Sequence, residues 1–115
     1  MMKLYGIPNC DTVKKARVWL TENNFDYEWY DFKKNVLSPA LIEDWIANCG
    51  WEVLVNRQGT TWRKLDEASK ASVIDAASAT TLMLANPSVI KRPVLDDNGK
   101  IIVGFKPETY SALLL

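Results

Sequence analysis

Within about its first 30 residues the chain passes from one strand signal through a helix signal to a second strand. No other stretch restricts the fold as much. Lys3-Leu4-Tyr5 is a short apolar strand candidate. Val13, Ala16, Trp19 and Leu20 then recur at helical spacing, with Lys14, Lys15, Arg17 and Glu22 on the other faces. Asn23-Asn24 supplies a stop, and Phe25, Tyr27 and Trp29 alternate with Asp26 and Glu28 as a half-buried strand does. Two strands joined through one amphipathic helix make a βαβ unit, whose crossover is expected to be right-handed.

The turn between strand and helix, Gly6-Ile7-Pro8-Asn9-Cys10-Asp11-Thr12, places Cys10 at or just before a helix N-terminus. Unpaired backbone N–H groups and the positive end of the helix dipole favour an anion there. A thiolate is such an anion, and it is the nucleophilic form of cysteine. The same position also suits a buried cysteine packed as a small hydrophobe, so local sequence leaves both readings open.

Composition removes several kinds of chemistry. The chain has 115 residues, enough for one domain with a core that needs neither disulfide nor metal. Lys plus Arg and Asp plus Glu are 14 each, so no net field draws the chain to nucleic acid or a membrane. No apolar run approaches a spanning helix and no leader pattern opens the chain, so a cytoplasmic protein with reduced thiols is expected. With two cysteines, Cys10 and Cys49, and no histidine, neither a four-ligand zinc site nor a Cys-His or Ser-His pair is available. A reactive Cys10 must therefore be activated by the helix end and by Arg or Lys. The five tryptophans read as bulk that fills space between elements.

The middle of the chain is helical. Ser38-Pro39 is an N-cap and first-turn pair, opening a helix that buries Leu41, Ile42, Trp45 and Ile46 and ends at Gly50. Cys49 falls in its last turn and reads as packing. Trp51 to Val55 fits a strand or a short helix equally well. Asn56-Arg57-Gln58-Gly59 is a loop, with Thr60 or Thr61 capping a turn through Leu65. Glu67 to Asn86 reads as two helices broken near Asp75 to Ser78, closed by Asn86-Pro87. Strands return at Val94-Leu95-Asp96 and Lys100 to Val103, flanking Asp97-Asn98-Gly99, a hairpin turn signal. Pro107 then opens a last helix, with Tyr110, Leu113 and Leu114 on its buried face.

This order, β-α-β, helices, then β-β-α, resembles the α/β thioredoxin-like fold with its mixed four-stranded sheet. The expected organisation is a single domain over 1–115, with a core of about 1–34 and 88–115 and a helical insertion of about 35–87. In that fold a reactive cysteine precedes the first helix, where Cys10 stands, and faces a cis-proline loop, to which Arg92-Pro93 corresponds. Three strings, Ile7 to Thr12, Asn56 to Leu65 and Asn86 to Pro93, together resemble the arsenate reductase (ArsC) family, in its YffB/Spx-related branch. The resemblance spans essentially the whole chain.

The resemblance implies a nucleophilic Cys10 among oxyanion-binding cations. Of the family's three arginines, one maps to Arg57, one to Arg92, and the third falls on Lys106 before Pro107. Lysine offers a point charge where arginine offers a planar fork, which counts against efficient arsenate reduction. Asn9 and Thr12 are candidate donors to the sulfur or to a bound anion, or caps of the helix. The Cys-x-x-Cys switch of the Spx regulators is excluded, because Val13 occupies its fourth position. The function implied is a cytoplasmic monothiol oxidoreductase with no bound cofactor or metal. It would use glutathione as co-substrate, with glutaredoxin as a further partner, on a small thiol or oxyanion substrate. The alternatives are an arsenate reductase linked to glutathione and glutaredoxin, and an Spx-like docking protein without enzymatic activity.

Overall fold

A four-stranded mixed sheet in the order β2-β1-β3-β4 carries the first of two compact units, Met1–Asn35 with Arg92–Leu115. The second unit is Val36–Lys91, and the computed structural model describes all residues 1–115. Strands β1 (Met2–Gly6) and β2 (Tyr27–Asp31) are parallel, joined through α1 (Asp11–Glu22). Strand β3 (Val94–Asp97) runs antiparallel to both β1 and β4 (Lys100–Val103), and α7 (Pro107–Leu114) closes the chain. This is the α/β architecture expected from the sequence.

Helix α1 buries Val13, Ala16 and Leu20, and the core continues through Leu4, Leu95, Ile102 and Tyr110. The helix stops in a Schellman motif. Asn24 takes the left-handed conformation at φ 63°, its N–H reaches the Thr21 carbonyl at 3.1 Å, and that of Phe25 reaches Leu20 at 2.9 Å. Phe25 is thereby committed to the helix end, its ring stacked on Trp19, and β2 begins two residues later than the alternation suggests. The hairpin turn is built from Asn98 and Gly99, at φ 51° and 97°, both in the region a two-residue type I′ turn requires.

Gly6 lies close against α1. A Cβ at this position would lie 2.9 Å and 3.2 Å from the two γ-methyls of Val13, which is fully buried and has no room to yield. Gly6→Ala should therefore lower unfolding free energy by about 1–3 kcal/mol through overpacking. In a Val13→Ala background, itself destabilised by the lost methyls, the further loss from Gly6→Ala should be much smaller, measured by denaturant melts; purely additive losses would refute the contact.

In the second unit, α2 (Pro39–Cys49) starts on Ser38, whose hydroxyl accepts the Leu41 N–H, and packs on α6 (Ala76–Ala85). Its buried residues are Ile42 and Trp45, with Leu41 and Ile46 at the margin. The ambiguous Trp51 stretch resolves into both alternatives. Trp51–Leu54 is a single helical turn, α3, and Val55 forms a β-bridge with Ile90. The turn α4 (Thr60–Arg63) is capped by Gly59 and not by a threonine side chain. The break between α5 (Glu67–Ala71) and α6 falls at residues 72–75, earlier than expected, because Asp75 and Ser78 form a reciprocal capping box that starts α6. A 3₁₀ turn at Pro87–Val89 follows α6. In α7, Tyr110 is buried, but Leu113 is 44% exposed in the last turn of the helix. No helix is long and apolar enough to cross a membrane.

Candidate functional site

Cys10 is the N-cap of α1, with extended backbone (φ −110°, ψ 123°) and its carbonyl accepting the Lys14 N–H at 3.0 Å. An N-cap side chain faces the N–H groups of the second and third helical residues, here Thr12 and Val13. Serine or aspartate usually fills this role, whereas Cys10 brings a sulfur that becomes a good acceptor only as the thiolate. Strand β1 delivers the residue there, since the turn leaves β1 at Gly6 and Asp11 enters the helix directly.

The antiparallel register brings a second loop to the same end of the sheet. Tyr5 pairs with Val94, so Pro93 comes alongside Gly6. The Arg92–Pro93 peptide is cis, Pro93 is buried, and its carbonyl accepts the Gly104 N–H at 2.8 Å. Half-buried Arg92 hydrogen-bonds to the Cys10 sulfur through its side chain. Burial is the largest single influence on the Cys10 thiol and pushes its pKa up. The Val13 N–H, the hydrogen bond and charge of Arg92, and the Thr12 N–H together outweigh it, and the thiol is held below its ordinary range. Cys49 goes the other way. Burial raises its pKa, and its thiol donates to the Trp45 carbonyl at 3.1 Å within α2.

Asn9 is exposed in the turn before Cys10, and Thr12 acts on the sulfur through its main chain. Lys106, exposed, is the N-cap of α7 and takes no part in the interactions that set the Cys10 ionisation. Arg57 belongs to the second unit, where its guanidinium lies 5.3 Å from the Trp51 ring and 5.9 Å from Trp62. Sequence reasoning did not single out Val13 as a donor. No residue type signals a backbone N–H; only its place as the third helical residue does. It also passed over Arg17, which hydrogen-bonds Tyr27 Oη at 3.0 Å and lies 4.3 Å from the Trp29 ring. No group of three His, Cys, Asp or Glu side chains is placed to hold a metal.

The ArsC family model matches residues 5–113, which takes in the end of β1, Cys10, the Arg92–Pro93 loop and all but the last residue of α7. The chain belongs to the ArsC family. Among solved structures, a YffB protein is 50% identical with a TM-score of 0.94, and the match covers 100% of both chains. An arsenate reductase (ArsC) related protein from Brucella melitensis is also 50% identical, with a TM-score of 0.77 over 97% of this chain and 92% of that one. An uncharacterized protein of Haemophilus influenzae is 41% identical over 112 residues, 97% of each chain. This ArsC-family chain is thus arsenate reductase-related in sequence and fold.

Proposed function

We propose that the protein is a cytoplasmic thiol oxidoreductase that works through one cysteine and uses glutathione as co-substrate. The observation that carries this reading is the Cys10 sulfur at the N-cap of α1, its ionisation favoured by the Val13 and Thr12 N–H groups and by the Arg92 side chain. The Cys10 thiolate attacks a substrate disulfide joined to glutathione, taking the glutathionyl sulfur and expelling the substrate thiolate. A second glutathione thiolate then attacks the glutathionyl sulfur, releasing glutathione disulfide and regenerating Cys10. The net reaction converts one mixed disulfide and one glutathione into a free thiol and glutathione disulfide. Arg92 stabilises the Cys10 anion at both the start and the end of the cycle, and it offers a charge-assisted hydrogen bond to an anionic group beside the sulfur.

The test is exposure of the native protein to glutathione disulfide, followed by peptide mass mapping. A glutathionyl adduct should form on Cys10, and Cys10→Ser should form none. An adduct shared equally with Cys49, or none on Cys10, would refute the reading.

Family membership favours arsenate reduction as the second reading. Its weak point is Lys106, where the family resemblance calls for an arginine. Lys106→Arg should raise glutathione-dependent arsenate turnover about tenfold, the scale of one recovered charge-assisted hydrogen bond to an oxyanion at a solvent-exposed site. Glutathionylation of Cys10 should change much less. A wild type that reduces arsenate efficiently, unaffected by Lys106→Arg, would make arsenate the better substrate assignment.

A further inference from the structure

A groove of about 320 Å³ lies between α1 and the segment leading into α7. Its apolar lining is Val18, Trp19, Phe105 and Pro107, with Lys14 and Lys15 at one end and Glu22 at the other. The floor is exposed where a monomer gains nothing from exposure, Val18 being 54% accessible. It is also rigid. Trp19 and Phe105 pack edge-on against the buried Tyr110 ring, at 5.5 Å and 4.7 Å between centroids. A preformed floor spares a ligand the cost of ordering it.

Charge says what fits. Lys14, Lys15 and Lys106, the last placed between Phe105 and Pro107, are exposed and form no ion pair within the chain. Asp11 in the first turn offsets only part of this charge. An apolar floor beside unpaired lysines suits an amphipathic segment carrying carboxylates at one end, and it leaves most of a polar tripeptide such as glutathione unsatisfied.

Position ties the groove to the thiol. At 1.5 Å per residue, the groove starts about 6 Å along α1 from Cys10 and ends about 18 Å away. Lys14 is one turn beyond Cys10 on nearly the same helix face. We infer that this groove docks an acidic, amphipathic segment of a protein partner whose nearby cysteine is held as a mixed disulfide with glutathione, so that Cys10 takes the glutathionyl sulfur and the partner's cysteine leaves as the thiolate. The inference rests on the thiol-exchange reading above and specifies its substrate as a protein. The partner's carboxylates lie over Lys14 and Lys15, its apolar side chains on Val18, Trp19 and Phe105, and its sulfur one or two residues further on.

The probe is a short fluorescein-labelled helical peptide presenting leucines flanked by glutamates, beside a twin with lysine at every glutamate. Fluorescence anisotropy should show the acidic peptide binding at least about tenfold more tightly than its twin. Lys14→Glu with Lys15→Glu should invert that preference, and Val18→Asp should weaken the acidic peptide by a similar factor, with circular dichroism confirming the fold. Cys10→Ser should bind the peptide as the wild type does, so docking is read without the chemistry. Alkylation of wild-type Cys10 by iodoacetamide reads the chemistry without the docking. Equal affinity for both peptides, no binding at millimolar peptide, or indifference to Val18→Asp would overturn the assignment. So would a homodimer, dispersed by Val18→Asp, that occupies the groove in place of the peptide.

Discussion

At pH 7 iodoacetamide should modify Cys10 faster than Cys49 by roughly one order of magnitude, since only the thiolate reacts and the two sites shift ionisation in opposite directions. At Cys10 burial resists the charge, but the Val13 and Thr12 N–H groups and Arg92 overcome it. At Cys49 burial acts unopposed, and the neutral thiol is further occupied as a donor to Trp45. Lowering a thiol pKa also lowers the intrinsic nucleophilicity of its thiolate, about threefold per tenfold gain in ionised fraction. Ionisation therefore wins until the pKa drops below the working pH. The rise of rate with pH should be displaced to lower pH than for an ordinary thiol at Cys10 and to higher pH at Cys49. Equal rates in the native protein would remove the basis for a thiolate site.

The same shift has a consequence for stability, with a definite sign. A group whose pKa is lowered by folding adds stability that is fully present above its unfolded value and is lost as pH falls through its folded value. Unfolding free energy should therefore climb with pH across the interval below the ordinary thiol range. The climb should disappear in Cys10→Ser.

Arg92→Ala should slow Cys10 alkylation at pH 7 by about 3- to 10-fold, because one side chain supplies both a hydrogen bond and a full charge to the thiolate and the loss of ionisation is partly offset by a more nucleophilic sulfur. The site is partly open to solvent, so the lower part of this range is expected at physiological salt. Above the ordinary thiol range the variant should match or exceed the wild type, because both sulfurs are then ionised and the less stabilised thiolate is the better nucleophile. That recovery separates a loss of ionisation from damage to the helix N-terminus, which would depress the plateau as well. Arg92→Lys should fall between them, keeping the charge and losing the planar fork. An unchanged profile in Arg92→Ala would leave the helix end as the sole source of activation.

Local chemistry alone determined much of this architecture. Helical spacing in α1, the left-handed Asn24 at its end, Ser38-Pro39 ahead of α2 and Asn98-Gly99 in the hairpin act through residues a few positions apart. Their preferences hold whatever the rest of the chain does, so β-α-β and β-β-α were legible, and Cys10 could be placed at a helix start. Where two local preferences compete, only tertiary contact decides. Trp51 to Val55 satisfies both strand and helix patterns, and the split arises because Val55 finds Ile90 as a bridge partner. Phe25 alternates like a strand residue, yet its N–H is claimed by the Leu20 carbonyl and its ring by Trp19.

The candidate site depends on the same division. That Cys10 is an N-cap is a property of its own neighbours. That Arg92 reaches its sulfur depends on the register of β3 against β1, which sets Pro93 beside Gly6 across most of the chain's length. Lys106 and Arg57 carry the same sign of charge as Arg92, and nothing in their local sequence says what they face. Charge is written in the residue. Its direction is set by strand pairing and loop closure, which are sums over distant contacts that no short stretch of sequence contains.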